Sequence, residues 1–252
     1  MIPAVSGLSD RPIWLLLYLA FVAFVAGLAR GFSGFGSAMI FVPLASAAVG
    51  PTVAAPVLTI LDGIGALPML PAAWRRSDRA AVFIMGMGAL LGVPVGTWIL
   101  TRVDAVPLRW GVCIVILVLT AGLASGWRFR RTPGGAVIVA AGGISGVLTG
   151  VAQIGGPPAI AYWLSGAATT ERVRANMVLF LVVTQSSAVV AYGYSGLFNL
   201  DVVGMAFVSI PGFLAGVFIG TRMFGLARPE TFRWICFGLI TLAALLGMPV
   251  FS

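Results

Sequence analysis

Gly88-Ala89-Leu90-Leu91-Gly92-Val93-Pro94-Val95-Gly96-Thr97 returns later in the chain as Gly212-Phe213-Leu214-Ala215-Gly216-Val217-Phe218-Ile219-Gly220-Thr221, six identities in ten without a gap. The same offset of 124 sets Arg109-Trp110 over Arg233-Trp234. At an offset of 119, Gly27, Gly31 and Gly36 fall on Gly146, Gly150 and Gly155. Small residues four apart are general helix-packing grammar and prove little alone. Joined to a colinear Arg-Trp pair, they read as an internal duplication. The expected layout is one integral membrane domain made of two repeats, 1–126 and 127–252.

Composition says where such a repeat lives. Of 252 residues, 60% are hydrophobic and a further 33 are glycine, while 9% are charged. Soluble domains hold about 45–50% apolar-plus-glycine residues. Too few charged side chains exist here to coat a water-facing surface, so the soluble class is excluded. The same shortage excludes a nucleic-acid partner, despite a net charge of +8. A β-barrel is disfavoured because the apolar runs are continuous rather than alternating. All 15 basic residues are Arg, and there is no His. A His-based triad, an HExxH zinc site and His-ligated haem are thereby excluded. Cys113 and Cys236 lie in separate apolar runs and read as small apolar residues. No catalytic residue, metal or cofactor is expected.

Ten apolar segments follow along the chain: 13–30, 35–49, 53–73, 80–100, 108–125, 136–151, 157–167, 175–194, 202–221 and 232–251. The first reads as a retained helix rather than a cleaved signal. Segments 2 and 7 are short, and each follows a Gly-rich turn. Such interruptions at matching places in two halves point to a transporter binding site. With ten crossings and both termini outside, twelve arginines fall on the cytoplasmic side: Arg30, Arg75, Arg76, Arg79, Arg128, Arg130, Arg131, Arg172, Arg174, Arg222, Arg228 and Arg233. Arg11, Arg102 and Arg109 remain outside. The positive-inside rule supports that arrangement. Five helices per repeat is an odd number, so the repeats are expected to be inverted. The fold class is therefore an all-α polytopic membrane protein of about ten segments, placed in the cytoplasmic (inner) membrane.

Two turns carry the candidate chemistry. The first is Gly31-Phe32-Ser33-Gly34-Phe35-Gly36-Ser37, with Pro43 beyond it. The second runs from Gly146 through Thr149, Gly150, Gln153, Ile154, Gly155 and Gly156 to Pro157-Pro158. In each, a Gly-faced helix ends and a short helix begins. A helix start offers unpaired N–H groups and a positive dipole end to an anion. Two such starts facing one another would form a substrate site from Ser33, Gly34, Phe35, Gly36 and Ser37 on one side. Gln153, Ile154, Gly155, Gly156 and Pro157 would form the other. The alternative is two tight turns packed by glycine.

These motifs resemble the TauE/SafE sulfite exporter family of membrane permeases, across essentially the whole chain. The resemblance implies transport of sulfur-containing anions, sulfite or an organosulfonate. Gln153 departs from the family pattern, which carries a further glycine there, and is expected to tune the substrate.

Asp62 is the one acid deep in a membrane segment, an expensive placement that is functional by default. It either carries a coupling ion or neutralises Arg30. Arg30, beside the first turn, either draws an anion inward or snorkels to the interface. Thr59 and Asp62 share a helix face. So do Asn176, Phe180, Thr184 and Ser187, with Gln185 adjacent. These are expected to line a polar cleft, and Trp163 to close it. The leading function is a secondary transporter that rocks its two repeats past one another, with helices 4 and 9 sliding. A passive anion channel, an intramembrane enzyme and a sensory component are the alternatives. The expected partners are a small anionic substrate and the lipid bilayer, with room for a homo-oligomer.

Overall fold

The computed structural model describes residues 11–34, 36–125, 135–164, 169–223 and 229–250. They form α-helices without a β-strand among the described residues: α1 (Ile13–Ser33), α2 (Ser37–Val49), α3 (Pro51–Ala66), α4 (Leu70–Arg76), α5 (Arg79–Arg102) and α6 (Ala105–Ala124). The second half holds α7 (Gly135–Ala152), α8 (Gly156–Trp163), α9 (Thr170–Tyr194), α10 (Leu200–Met223) and α11 (Pro229–Gly247). A 3-10 turn, Leu67–Met69, joins α3 to α4, so Pro51–Arg76 acts as one apolar span of 26 residues. Helices thus stand where each of the ten apolar segments was expected.

Seven of them are long and apolar enough to cross a membrane. The short ones are short in earnest. α2 has 13 residues and α8 has 8. At 1.5 Å per residue they rise about 20 and about 12 Å, against a hydrocarbon core of about 30 Å. Prolines mark two of the helix starts: Pro51 and Pro157 sit in the first turns of α3 and α8, where a missing N–H costs nothing. α5 is started by Asp78, whose Oδ1 accepts from the Ala81 N–H at 3.1 Å.

Glycines bring two helix pairs into backbone contact. On the α1–α10 seam, a methyl group at Gly27 would run into the Phe213 carbonyl, and one at Gly31 into that of Val217. From the other side, Gly212, Gly216 and Gly220 lie against the carbonyls of Ala20, Phe24 and Leu28. On the α5–α7 seam, Gly146 and Gly150 lie against Ala89 and Val93, while Gly88, Gly92 and Gly96 lie against Val139, Gly143 and Val147. Adding 119 to the α1 member and subtracting 124 from the α10 member converts each pair of the first seam into one of the second. Lipid offers no hydrophobic drive between helices, so such close approach is what holds them.

Contact register also gives direction. Numbers rise together on both seams, so α1 runs parallel to α10, and α5 to α7. α2 runs back along α1, with Tyr18 Oη donating to the Leu44 carbonyl. α9 runs against the 51–76 span: Asp78 N–H donates to Asn176, whereas Ala55 packs with Ala188 and Tyr192. α5 runs with α9, since Val82 and Phe83 lie near Leu179 and Val183, and Thr97 and Trp98 near Ser187 and Val190.

The buried core divides across the repeats. One cluster joins α1, α2, α3, α6, α10 and α11, and includes Phe41, Leu58, Leu61 and Phe213. Another joins α4, α5, α7, α8 and α9, with Met85, Trp163 and Phe180. The 3-10 turn at 67–69 falls between α3 in the first and α4 in the second. Leu17, Phe21, Leu91, Val118, Phe207 and Leu246 remain exposed, an apolar exterior suited to lipid rather than water.

One placement is corrected. Arg30 does not snorkel to an interface; it is 5% exposed and packed inside the bundle. It therefore leaves the cytoplasmic arginine count. Arg128, Arg130, Arg131 and Arg228 lie outside the described residues, as does the side chain of Arg233.

Candidate substrate site

The first turn closes through two glycines in left-handed backbone. Gly34, φ 78°, returns its N–H to the Arg30 carbonyl at 2.7 Å and ends α1. Gly36, φ 102°, precedes α2, a conformation that an L side chain rarely tolerates. No side chain caps the first N–H groups of α2. The hydroxyl of Ser37 turns instead to the Asp62 carboxylate, 3.0 Å from Oδ1 and 3.1 Å from Oδ2.

Asp62 has a second partner. Arg30 Nη1 lies 3.0 Å from its Oδ1, and Nη2 donates to its backbone carbonyl at 3.3 Å. Both residues are buried. A guanidinium stays charged wherever it is put. Two charges removed from water are tolerable only when paired and further hydrogen-bonded, and Ser37 supplies the additional bond.

The second turn takes a different route. α7 ends with Gln153 N–H donating to the Thr149 carbonyl at 2.9 Å. Gln153 itself adopts φ 61°, the one non-glycine with positive φ among the described residues. Ile154 N–H then reaches back to the Leu148 carbonyl at 3.2 Å. Gly155 fills the corner against the Thr149 side chain and the Ser145 carbonyl, where any Cβ would collide. Gly156, Pro157 and Pro158 open α8.

Gln153 is held by a tyrosine from α9. Its Nε2 donates to Tyr192 Oη at 3.1 Å, and that hydroxyl lies 2.9 Å from the Gly150 carbonyl and 3.2 Å from that of Thr149. The phenol has one proton, which goes to the backbone carbonyls. Its oxygen must then accept, so Gln153 turns its amide nitrogen to the ring. Gln153 Oε1 is left buried without a partner.

Arg30, Gly36, Ser37, Asp62, Gln153, Ile154, Gly156 and Pro157 meet around one cavity, completed by Ala38, Met39 and Leu181. Its volume, about 10 Å³, admits about one water molecule. One wall carries a guanidinium and the start of α2. The other carries the corner after α7. The cavity lies between the two core clusters, fed from both repeats.

Several expected residues stand elsewhere. Thr59 bonds its own helix at Ala55, and Thr184 bonds Leu181, each at 3.0 Å. Asn176 accepts from the Asp78 N–H at 2.8 Å, tying α9 to the corner before α5. Gln185 is buried with Oε1 unpartnered, yet is not among the cavity's walls. The α9 face drawn through Asn176, Phe180, Thr184 and Ser187 is therefore dispersed rather than a common lining. Trp163 packs edge-on against Phe180 at 5.6 Å instead of covering the cavity. Phe35 and the Ser33 side chain lie outside the described residues. Tyr192 and Leu181 went unforeseen, the former signalled only by a polar-tipped ring inside an apolar run.

A relative, the probable sulfite/organosulfonate exporter TauE of Cupriavidus necator, is 27% identical over 229 residues, covering 87% of this chain and 89% of the relative. No solved structure matches the chain. The family described as sulfite exporter TauE/SafE matches residues 19–246. The chain is a multi-pass membrane protein and belongs to the TauE/SafE sulfite exporter family.

Proposed function

We propose that the chain exports sulfite or a small organosulfonate across the cytoplasmic membrane by alternating access. The observation that carries this is the meeting of both turns with Arg30 and Asp62 around a single small cavity. A space for about one water cannot hold a sulfur oxyanion, so binding requires the walls to part.

The two repeats are read as 1–126 and 127–252, inverted with respect to each other. Support comes from the matching seams and from direction: α1 runs with α10, α5 with α7, and α9 against the 51–76 span. Seven helices among the described residues are long and apolar enough to cross, while α2 and α8 are shorter than the hydrocarbon core.

The moving bodies differ from the repeats. Both glycine seams tie helices of opposite repeats, so α5 and α10 are locked to their neighbours rather than free to slide. One body is α1, α2, α3 and α10; the other is α5, α7, α8 and α9. The cavity lies between them, and the 3-10 turn at Leu67–Met69 is the hinge within the span they share.

Within the cavity, Asp62 stands on the guanidinium where a substrate anion would bind. A proton on Asp62 breaks that pairing and releases Arg30. Arg30 and Ser37 are the polar groups bound to the carboxylate, so this exchange is local.

Purified protein in liposomes is expected to move labelled sulfite with saturation, and unlabelled sulfite on the far side is expected to accelerate it. Replacing Gly36 or Gly155 by Leu abolishes the flux. Unsaturable flux without counterflow would instead identify a channel, and no flux of sulfite or sulfonate would refute the reading.

A further inference from the structure

A large apolar groove lies apart from the cavity, lined by none of the cavity's residues. It lies on the outer surface where α4, α5 and α9 meet, with a volume of about 750 Å³. Leu70 and Pro71 line it from α4, Val82 and Phe83 from α5, Leu179 and Val183 from α9. At one end stand Trp74, Arg75 and Arg79. Arg79 is fixed there by its own neighbour, with the guanidinium carbon 5.2 Å from the centre of the Trp74 ring.

No acid lines this groove. Asp78 lies between the two arginines in sequence, but its carboxylate is committed to capping α5. The nearby exposed ion pair, Arg76 with Glu171, lies outside the lining. The groove is thus a long apolar slot with two cations and an interfacial indole at its mouth. Indoles settle at the headgroup level of a bilayer, and basic pockets between transmembrane helices hold anionic headgroups.

We infer that this groove binds an anionic phospholipid, with one acyl chain along Leu70, Phe83 and Val183 and the phosphate on Arg75 and Arg79. Charge complementarity selects the headgroup: a zwitterionic lipid offers the same tail but no net negative charge. The apolar walls select a lipid over a free phosphate, which would leave the slot unfilled. The site belongs wholly to α4, α5 and α9, so its occupant braces the body on the far side of the 67–69 hinge.

Native mass spectrometry of the full chain, extracted from vesicles of equal phosphatidylglycerol and phosphatidylcholine, tests this. The wild type is expected to keep phosphatidylglycerol. The Arg75→Gln/Arg79→Gln double variant is expected to lose it by about 30-fold, the combined effect of two basic contacts. Val183→Trp, which fills the slot without altering charge, loses it too. Arg102→Gln, at the opposite end of α5, keeps it. Folding of each variant is checked by its thermal transition. Equal retention of the two lipids by the wild type overturns the proposal, as does unchanged retention in the double variant. Displacement of the lipid by millimolar inorganic phosphate would mark a simple anion site and also overturn it. So would efficient disulfide-linked dimers of Phe83→Cys, which would mean that a second copy covers the groove.

Discussion

Arg30 and Asp62 form a buried ion pair at 3.0 Å, made by helices 32 residues apart in sequence and sealed by the Ser37 hydroxyl. Removing one partner leaves a charge without solvent or counter-charge, so Asp62→Ala should destabilise the folded protein by about 3–5 kcal/mol. Replacing both, as Arg30→Met with Asp62→Leu, should recover most of that loss. Transport should not return in the double variant, because no guanidinium remains to hold the anion. Thermal unfolding in detergent beside liposome flux separates the two roles. Transport by the double variant would remove Arg30 from the site.

The same pair sets a direction for pH. A protonated Asp62 no longer competes for Arg30, so anion binding should strengthen as pH falls toward the protonation of Asp62. It should weaken as pH rises through that range. Asp62→Asn mimics the uncharged state, so its affinity should lose this dependence while its maximum rate falls. Apparent KM for sulfite, measured across pH with the substrate's own titration accounted for, checks the slope. An unchanged slope in Asp62→Asn would assign the effect to another group.

How far this was legible in sequence varies with the range of the interaction. The turns were readable because glycine and proline act locally, and Asp62 stood out as a charge in an apolar run. Arg30 had two readings until the fold supplied its partner. Asn176 was drawn to the cleft by helical spacing alone, while its real partner is the Asp78 backbone, 98 residues away. Spacing says which residues share a face; it does not say what that face meets. The left-handed Gln153 was also hidden, since that conformation is normally announced by glycine.

The seams predict equivalence between distant positions. Gly92→Ala and Gly216→Ala each put a methyl group into a facing carbonyl, those of Gly143 and Phe24. The helices must then separate, and overpacking of this kind costs about 1–3 kcal/mol. Both variants should lose stability to a similar degree. Gly111→Ala and Gly238→Ala, where nothing lies within reach of the new atom, should be neutral or slightly stabilising. Melting temperatures of the four variants decide the matter, and a tolerant Gly216 beside an intolerant Gly92 would break the proposed symmetry.

Tyr192 and Gln153 offer a handle on substrate choice. Tyr192→Phe removes the hydroxyl that Gln153 Nε2 and the Gly150 carbonyl share, leaving two buried polar groups unsatisfied. Each such group costs about 1–3 kcal/mol, so this variant should be less stable than wild type. Gln153→Gly behaves differently. It relieves a side chain from φ 61°, a gain that offsets part of the lost hydrogen bond, and it enlarges the cavity at its second wall. Its stability should therefore fall less than that of Tyr192→Phe. Its preference should shift toward the bulkier organosulfonate, read as the ratio of kcat/KM for a small sulfonate to that for sulfite. The reason is space: Gln153 is among the residues lining the cavity, and glycine there leaves room for the organic group of a sulfonate. An unchanged ratio in Gln153→Gly, with Tyr192→Phe alone impaired, would reduce Gln153 to a structural corner.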